Sequence, residues 1–176
     1  PEVAIAPESP VTSDELVASV TKDSVDPNRA ADQLTYRYTW YADGVQQGLT
    51  SNKVPAALTK KGQLWQVRVL ANDGLVDGEM GTAQVTIANT VPECEQAVLL
   101  PAAGGTDTEF KCSCAKRSDV DEGDEAKDTC VFRGDGTVLE SKDCVLNPSA
   151  TKRGMKIVCE LTPDDGEGQG TPVETD

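Results

Sequence analysis

The stretch Leu34–Gly44, LTYRYTWYADG, constrains this chain more than any other. Leu34, Tyr36, Tyr38 and Trp40 alternate with Thr35, Arg37 and Thr39, so large apolar side chains recur on one face with a period of two. That is the pattern of a strand buried on one side. Asp43-Gly44 follows and offers the positive φ angles of a tight hairpin turn. A Trp in mid-strand needs a second sheet to cover it, so the chain is expected to stack two sheets face to face.

Other segments fit the same plan. Residues 3–5, VAI, make a short strand, and Pro7 and Pro10 after it mark an edge or a kink. Leu16, Ala18 and Val20 alternate inward. Residues 21–33 are a polar loop holding Asp23, Asp26 and Asp32. Lys60-Lys61-Gly62 is a turn before LWQVRVLA, a strand whose inward set is Trp65, Val67 and Val69, or one entered by Leu64 in place of Trp65. Asn72-Asp73-Gly74 is another turn, and residues 82–88, TAQVTIA, alternate again. No stretch carries a convincing helical period.

The pattern then runs a second time. Leu16-x-Ala18-x-Val20 corresponds to Phe110-x-Cys112-x-Cys114, and residues 38–44 correspond to 130–136. Gly62 corresponds to Gly154, Trp65-x-Val67-x-Val69 to Ile157-x-Cys159-x-Leu161, and Asn72-Asp73-Gly74 to Asp164-Asp165-Gly166. Repetition at this period predicts two domains, 1–91 and 92–176, joined by the short linker 89–92. The 176 residues suffice for two sandwiches of that size. The tail 163–176 reads as a poor last strand. No apolar run is long enough to span a membrane, and no signal peptide opens the chain, so a mature or excised fragment is expected.

All six cysteines lie in the second copy: Cys94, Cys112, Cys114, Cys130, Cys144 and Cys159. Zinc sites want Cys pairs with two to four residues between them, or nearby His. Here the one close pair is Cys112-Ser-Cys114 and His is absent, which favours disulfides and an oxidising compartment. The strands at 110–114 and 157–161 face each other across a sandwich, so Cys159 is expected to bond Cys112 or Cys114. Cys130 and Cys144 flank a hairpin and can close it, leaving Cys94 the remaining partner.

At this point the residues carry a resemblance. The acidic loop from Asp23, followed by DQLTYRYTWYADG, resembles the core of bacterial Ig-like, PKD-like and cadherin-like repeats, as do QVRVLANDG and AQVTIANTVP. The likeness covers 1–91 and, less closely, 92–176. It implies an all-β chain of two tandem immunoglobulin-like β-sandwich domains arranged end to end, in a secreted or cell-surface protein. Some relatives bind calcium, although Asn28-Arg29-Ala30-Ala31 replaces the usual acidic triplet of that loop.

The acidic residues suggest a ligand. The net charge is −14, and it is uneven: 7 basic against 11 acidic residues in 1–91, but 9 against 19 in 92–176. Such a surface attracts cations and repels nucleic acid and anionic lipid. Asp119, Asp121 and Asp124, spaced around Gly123, together with Asp164, Asp165 and Asn89, form the candidate calcium set. Calcium needs six to eight oxygens, and Gly lets a loop fold back to supply them. The expectation is that calcium rigidifies the joint between the domains. A second acidic set is Asp23, Asp26 and Asp32 with Asp73 and Asp77. Arg133-Gly134-Asp135 spells an integrin-recognition tripeptide, but turn chemistry accounts for its Gly and Asp.

No catalytic residues are expected. Without His the commonest general base is missing, and no nucleophile elbow or phosphate loop appears. The functional expectation is a structural repeat of an extracellular stalk, adhesin or filament, its partners being neighbouring repeats or other copies in a fibre. The alternative is a ligand-binding accessory module for carbohydrate or protein, for which exposed Trp would be the sign.

Overall fold

The alternation at 34–44 becomes strand β3, Thr35–Ala42, with Trp40 wholly buried and Tyr36 and Tyr38 half-buried on the same face. The structure is a computed structural model describing residues 1–25 and 34–176. The polypeptide divides into two units, Pro1–Thr90 and Val91–Asp176. Among the described residues there is no α-helix, only strands and short 3-10 turns. No helix among them is long and apolar enough to cross a membrane.

The first unit contains β1 (Glu2–Ala6), β2 (Leu16–Lys22), β3, β4 (Val45–Gln46), β5 (Lys53–Val54), β6 (Leu64–Asn72) and β7 (Asp77–Thr86). One sheet has the order β1-β2-β5 and the other β4-β3-β6-β7, with every pair of strands antiparallel. Sheets of three and four strands with this connectivity make an immunoglobulin-like sandwich. On β6 the inward set is Trp65, Val67 and Val69, whereas Leu64 is exposed. Trp65 packs edge-on against Trp40 with ring centroids 6.3 Å apart. Each indole N–H finds an acceptor, Trp40 on the Ser51 carbonyl at 2.9 Å and Trp65 on Gln63 Oε1 at 3.0 Å. That satisfaction lets two Trp rings sit in a core without a buried polar penalty.

The second unit repeats the order with β8 (Glu93–Leu100), β9 (Phe110–Ser118), β10 (Thr129–Gly134), β11 (Thr137–Leu139), β12 (Val145–Leu146), β13 (Ile157–Thr162) and β14 (Val173–Glu174). Its sheets are β12-β9-β8 and β11-β10-β13-β14. The core centres on Phe132, Leu146, Leu161 and Phe110 and on three disulfides. Cys112–Cys159 and Cys130–Cys144 tie one sheet to the other, and Cys94–Cys114 ties β8 to β9 within a sheet. No cysteine is free. Cys112 lies two residues from Phe110 in the buried opening part of β9. Cys114 lies farther along, opposite Ala97, where a bulge in β8 brings Cys94 within reach.

The copies match down to individual turns. Asp43 and Asp135 both take φ 49°, each followed by a positive-φ Gly. Each carboxylate accepts the backbone N–H that opens the facing strand, from Leu64 at 2.9 Å and from Lys156 at 3.0 Å. The 3-10 turns Ala56–Leu58 and Pro148–Ala150 end with a Thr hydroxyl donating three residues back, at 2.8 and 2.9 Å. The tail of the second copy contributes only Val173 and Glu174 to the ladder. Their partners are Leu161 and Glu160, the same register in which Gly81 and Thr82 meet Val69 and Arg68.

Candidate metal centre

The loop between β9 and β10 departs from the ladder because it is made of Asp, Glu, Gly and Lys, which favour turns over strands. Gly123 takes φ 93°, a conformation that costs glycine little, and the chain folds back there. This brings Asp119, Asp121 and Asp124 together, one carboxylate oxygen from each lying within 4.8 Å of the others. Asp121 is 6% exposed, and its N–H donates to Asp119 Oδ1 at 3.1 Å. Three like charges this close repel, and the more so where one of them is screened from water.

A second loop, after β13, is stitched to the first. Asp128 pairs with the Arg117 guanidinium and also accepts the Asp164 N–H at 3.1 Å. The Asp164 carbonyl accepts from Arg117 Nη2 at 3.0 Å and from the Lys127 N–H at 2.7 Å. The pair is mostly shielded, so its hydrogen bonds fix where the two loops meet. Nothing in the sequence reading singled out Arg117; the available signal was a basic residue closing a strand just ahead of an acidic run.

Asp164 and Asp165 use their carboxylates within their own turn. Asp164 Oδ1 accepts the Gly166 N–H at 2.6 Å and Oδ2 accepts Gln169 Nε2 at 2.9 Å. Donation from Gln169, and then from Gly166, holds the Asp164 carboxyl below its ordinary value. Asp165 Oδ1 accepts from Glu167 and Gly168 at 2.7 and 2.6 Å. The three-carboxylate group does not include them. Asn89 belongs to the first unit.

In the first copy, Asp26 and Asp32 lie outside the described residues, as do 28–31. Asp23 accepts the Tyr36 hydroxyl at 2.8 Å. Burial and, next, that bond push the Tyr36 phenol up. Asp73 Oδ1 accepts from Leu75 and Val76, both at 2.8 Å. Asp77 accepts from Asn72 and Arg37, and it titrates low, chiefly through the Asn72 amide.

Arg133-Gly134-Asp135 is not presented as a free tip. Arg133 lies on β10 and reaches Glu160 at 3.4 Å, Gly134 is buried against Met155, and Asp135 caps the Lys156 N–H. Trp40 and Trp65 are both interior, so neither indole offers a sugar-stacking surface.

No protein-family model matches the sequence, and no curated protein matches it. Among solved structures, the chain is similar to a two fibronectin type-III domain segment from chicken tenascin. Identity there is 11%, with a TM-score of 0.42 over 98% of this chain and 95% of that one. It is also similar to the chicken CNTN1 FN1-FN3 domains, at 13% identity and TM-score 0.37 over 98% of this chain and 66% of that one. The N-terminal four Ig domains of Dscam1 isoform 6.9 match at 14% identity and TM-score 0.37, over 81% and 37% of the respective chains.

Proposed function

We propose that this chain is a pair of structural repeats from an extracellular or cell-surface protein, with calcium as a ligand of the second repeat. The observation that supports this reading is the set of three disulfides closed within one small sandwich. Such bridges form and persist in oxidising compartments, and they brace domains whose cores are thin. The wholly interior Trp residues and the lack of His suit a load-bearing role better than catalysis. Its partners on this reading are neighbouring repeats or other copies in a fibre.

Asp119, Asp121 and Asp124 would hold the ion, and the fit is chemical. They are hard oxygen donors, mutually close, and one is nearly buried. Three carboxylates offer at most six oxygens, so water or carbonyls would complete the shell. Bound calcium would relieve the carboxylate repulsion and brace the loop between β9 and β10. Extracellular calcium modules work at affinities of about 10⁻⁴–10⁻³ M. Calorimetry with millimolar calcium should therefore raise the unfolding midpoint of residues 91–176, and Asp121→Asn should abolish the rise. A midpoint identical in calcium and in chelator would remove the metal from the proposal and leave the structural role standing.

A further inference from the structure

The groove of about 480 Å³ in the second unit is lined by Leu99, Phe110, Gly104, Met155, Ile157 and Asp176, among others. Its meaning comes from the first unit, where the apolar walls equivalent to Leu99, Phe110 and Ile157 are covered. There Ile5 and Leu16 match Leu99 and Phe110, Trp65 matches Ile157, and Ile87 joins the same buried cluster at 1% exposure. The Gly62 N–H donates to the Ile87 carbonyl at 2.8 Å, and the Ile87 N–H donates to the Gln63 carbonyl at 3.0 Å. The Ala88 N–H donates to the Pro10 carbonyl at 2.7 Å, and Ala88 forms a parallel bridge with Val11. One extended segment, residues 85–88, thus closes that end of the sandwich by running from β6 to the connection between β1 and β2.

The receiving side is reproduced in the second unit. Gly105 donates to Thr108 Oγ1 at 2.9 Å as Val11 does to Asp14 Oδ2, and the Thr108 N–H returns to the Gly105 carbonyl as Asp14 returns to Val11. Gly104 therefore stands for Pro10. Gly154 repeats the positive φ of Gly62, at 79° against 82°. Thr151 is half-buried and Thr106 exposed, although their counterparts Thr59 and Thr12 are buried. Among the described residues, no strand pairs with the outer edge of 154–157. By the register of β14, Asp176 occupies the place of Gln84, and it lines the groove.

We infer that the groove is a strand-acceptor site. Its occupant is an extended polypeptide segment joined in cis at Asp176, continuing β14 antiparallel to 154–157 and parallel to 104–105. The occupant carries an aliphatic side chain at its third residue. That side chain fills the space between Leu99, Phe110 and Ile157, as Ile87 does in the first unit. The segment's backbone supplies an acceptor for the Gly154 N–H and a donor for the Gly104 carbonyl. This is strand addition to an open sheet edge, in which main-chain hydrogen bonds give affinity and one pocket gives specificity.

The test extends the full chain after Asp176 with Val-Thr-Ile-Ala-Asn-Thr, the residues found at 85–90. A control extension carries Asp in place of the Ile. Amide exchange at Gly154 should slow at least about tenfold with the first extension and stay unchanged with the control, and the midpoint of the second unit should rise only with the first. Equal exchange rates in both extended chains would overturn the site. The same hexapeptide, free and equimolar with the unextended chain, separates the sources. Protection equal to that of the tethered segment would overturn delivery in cis, and little or no protection supports it.

Discussion

The two sandwiches share turns, ladders and sheet order, yet they hold their sheets together by different chemistry. The first uses the Trp40–Trp65 pair with Leu16, Val54 and Val67 around it. The second puts Cys159 where Val67 stands, Cys112 where Ala18 stands and Phe132 where Trp40 stands. A buried Trp removes about 150–250 Å² from water, equivalent to roughly 4–6 kcal/mol at about 25 cal/mol/Å². A disulfide contributes about 2–4 kcal/mol by restricting the unfolded chain. The comparison teaches that one backbone plan accepts either solution, because the inward positions of facing strands are near enough both for ring packing and for a covalent bridge.

The largest expected effect that separates the copies is redox. Reduction should unfold residues 91–176 while 1–90 keep their own transition in calorimetry. Cys112–Cys159, which closes the longest loop at a separation of 47, accounts for about 4 kcal/mol in the loop-entropy account. A second unit that melts at the same temperature with and without reductant would break the comparison. Next comes Trp65→Ala, expected to cost about 3–5 kcal/mol in the first unit and nothing in the second, read as separate denaturant midpoints.

The remaining effects should be equal or mirrored. Asp43→Ala and Asp135→Ala each lose a backbone cap and place Ala at a positive φ, so each should cost about 1–2 kcal/mol in its own unit. Unequal costs would show that the matched turns differ in energy despite matched geometry.

The smallest effect concerns pH. Asp164 titrates low because Gln169 and Gly166 donate to its charged form. A carboxyl with a folded pKa below its unfolded one stabilises the fold above the ordinary carboxylate range. It loses that contribution as pH falls through the folded value. Gln169→Leu should move the Asp164 titration up, as followed by NMR, and leave that of Asp77 in place.

Much of this was legible in the residues. Period-two alternation at 16–20, 34–40 and 65–69 identified strands and their inward faces, because half-burial forces alternate side chains apart. Facing strands put Cys159 opposite β9. The choice of Cys112 over Cys114 depended on depth along the strand and on a bulge in β8, which no local pattern records. The acidic loops were visible as composition, but composition does not say what a carboxylate binds. Asp164 and Asp165 turn inward to their own backbone, whereas Asp119, Asp121 and Asp124 converge. The stitch between Arg117 and Asp128 joins residues eleven apart through tertiary geometry alone. One swap was also out of reach of simple pattern matching. Asn72 donates to Asp77 in one copy and Gln169 donates to Asp164 in the other, with acid and amide exchanged.

The positions of the matched turns amount to a ruler. Val11 matches Gly105, an offset of 94, whereas Asp43 matches Asp135, an offset of 92. The whole difference in length between these landmarks falls in the connection from the second strand to the third. Within a strand a one-residue change would turn the inward face outward. That connection is therefore where the two copies differ in length while the ladders on either side keep their register. Moving residues 119–128 into the first sandwich would carry the carboxylate triad with them, and it offers a route to placing the same cluster wherever this plan recurs.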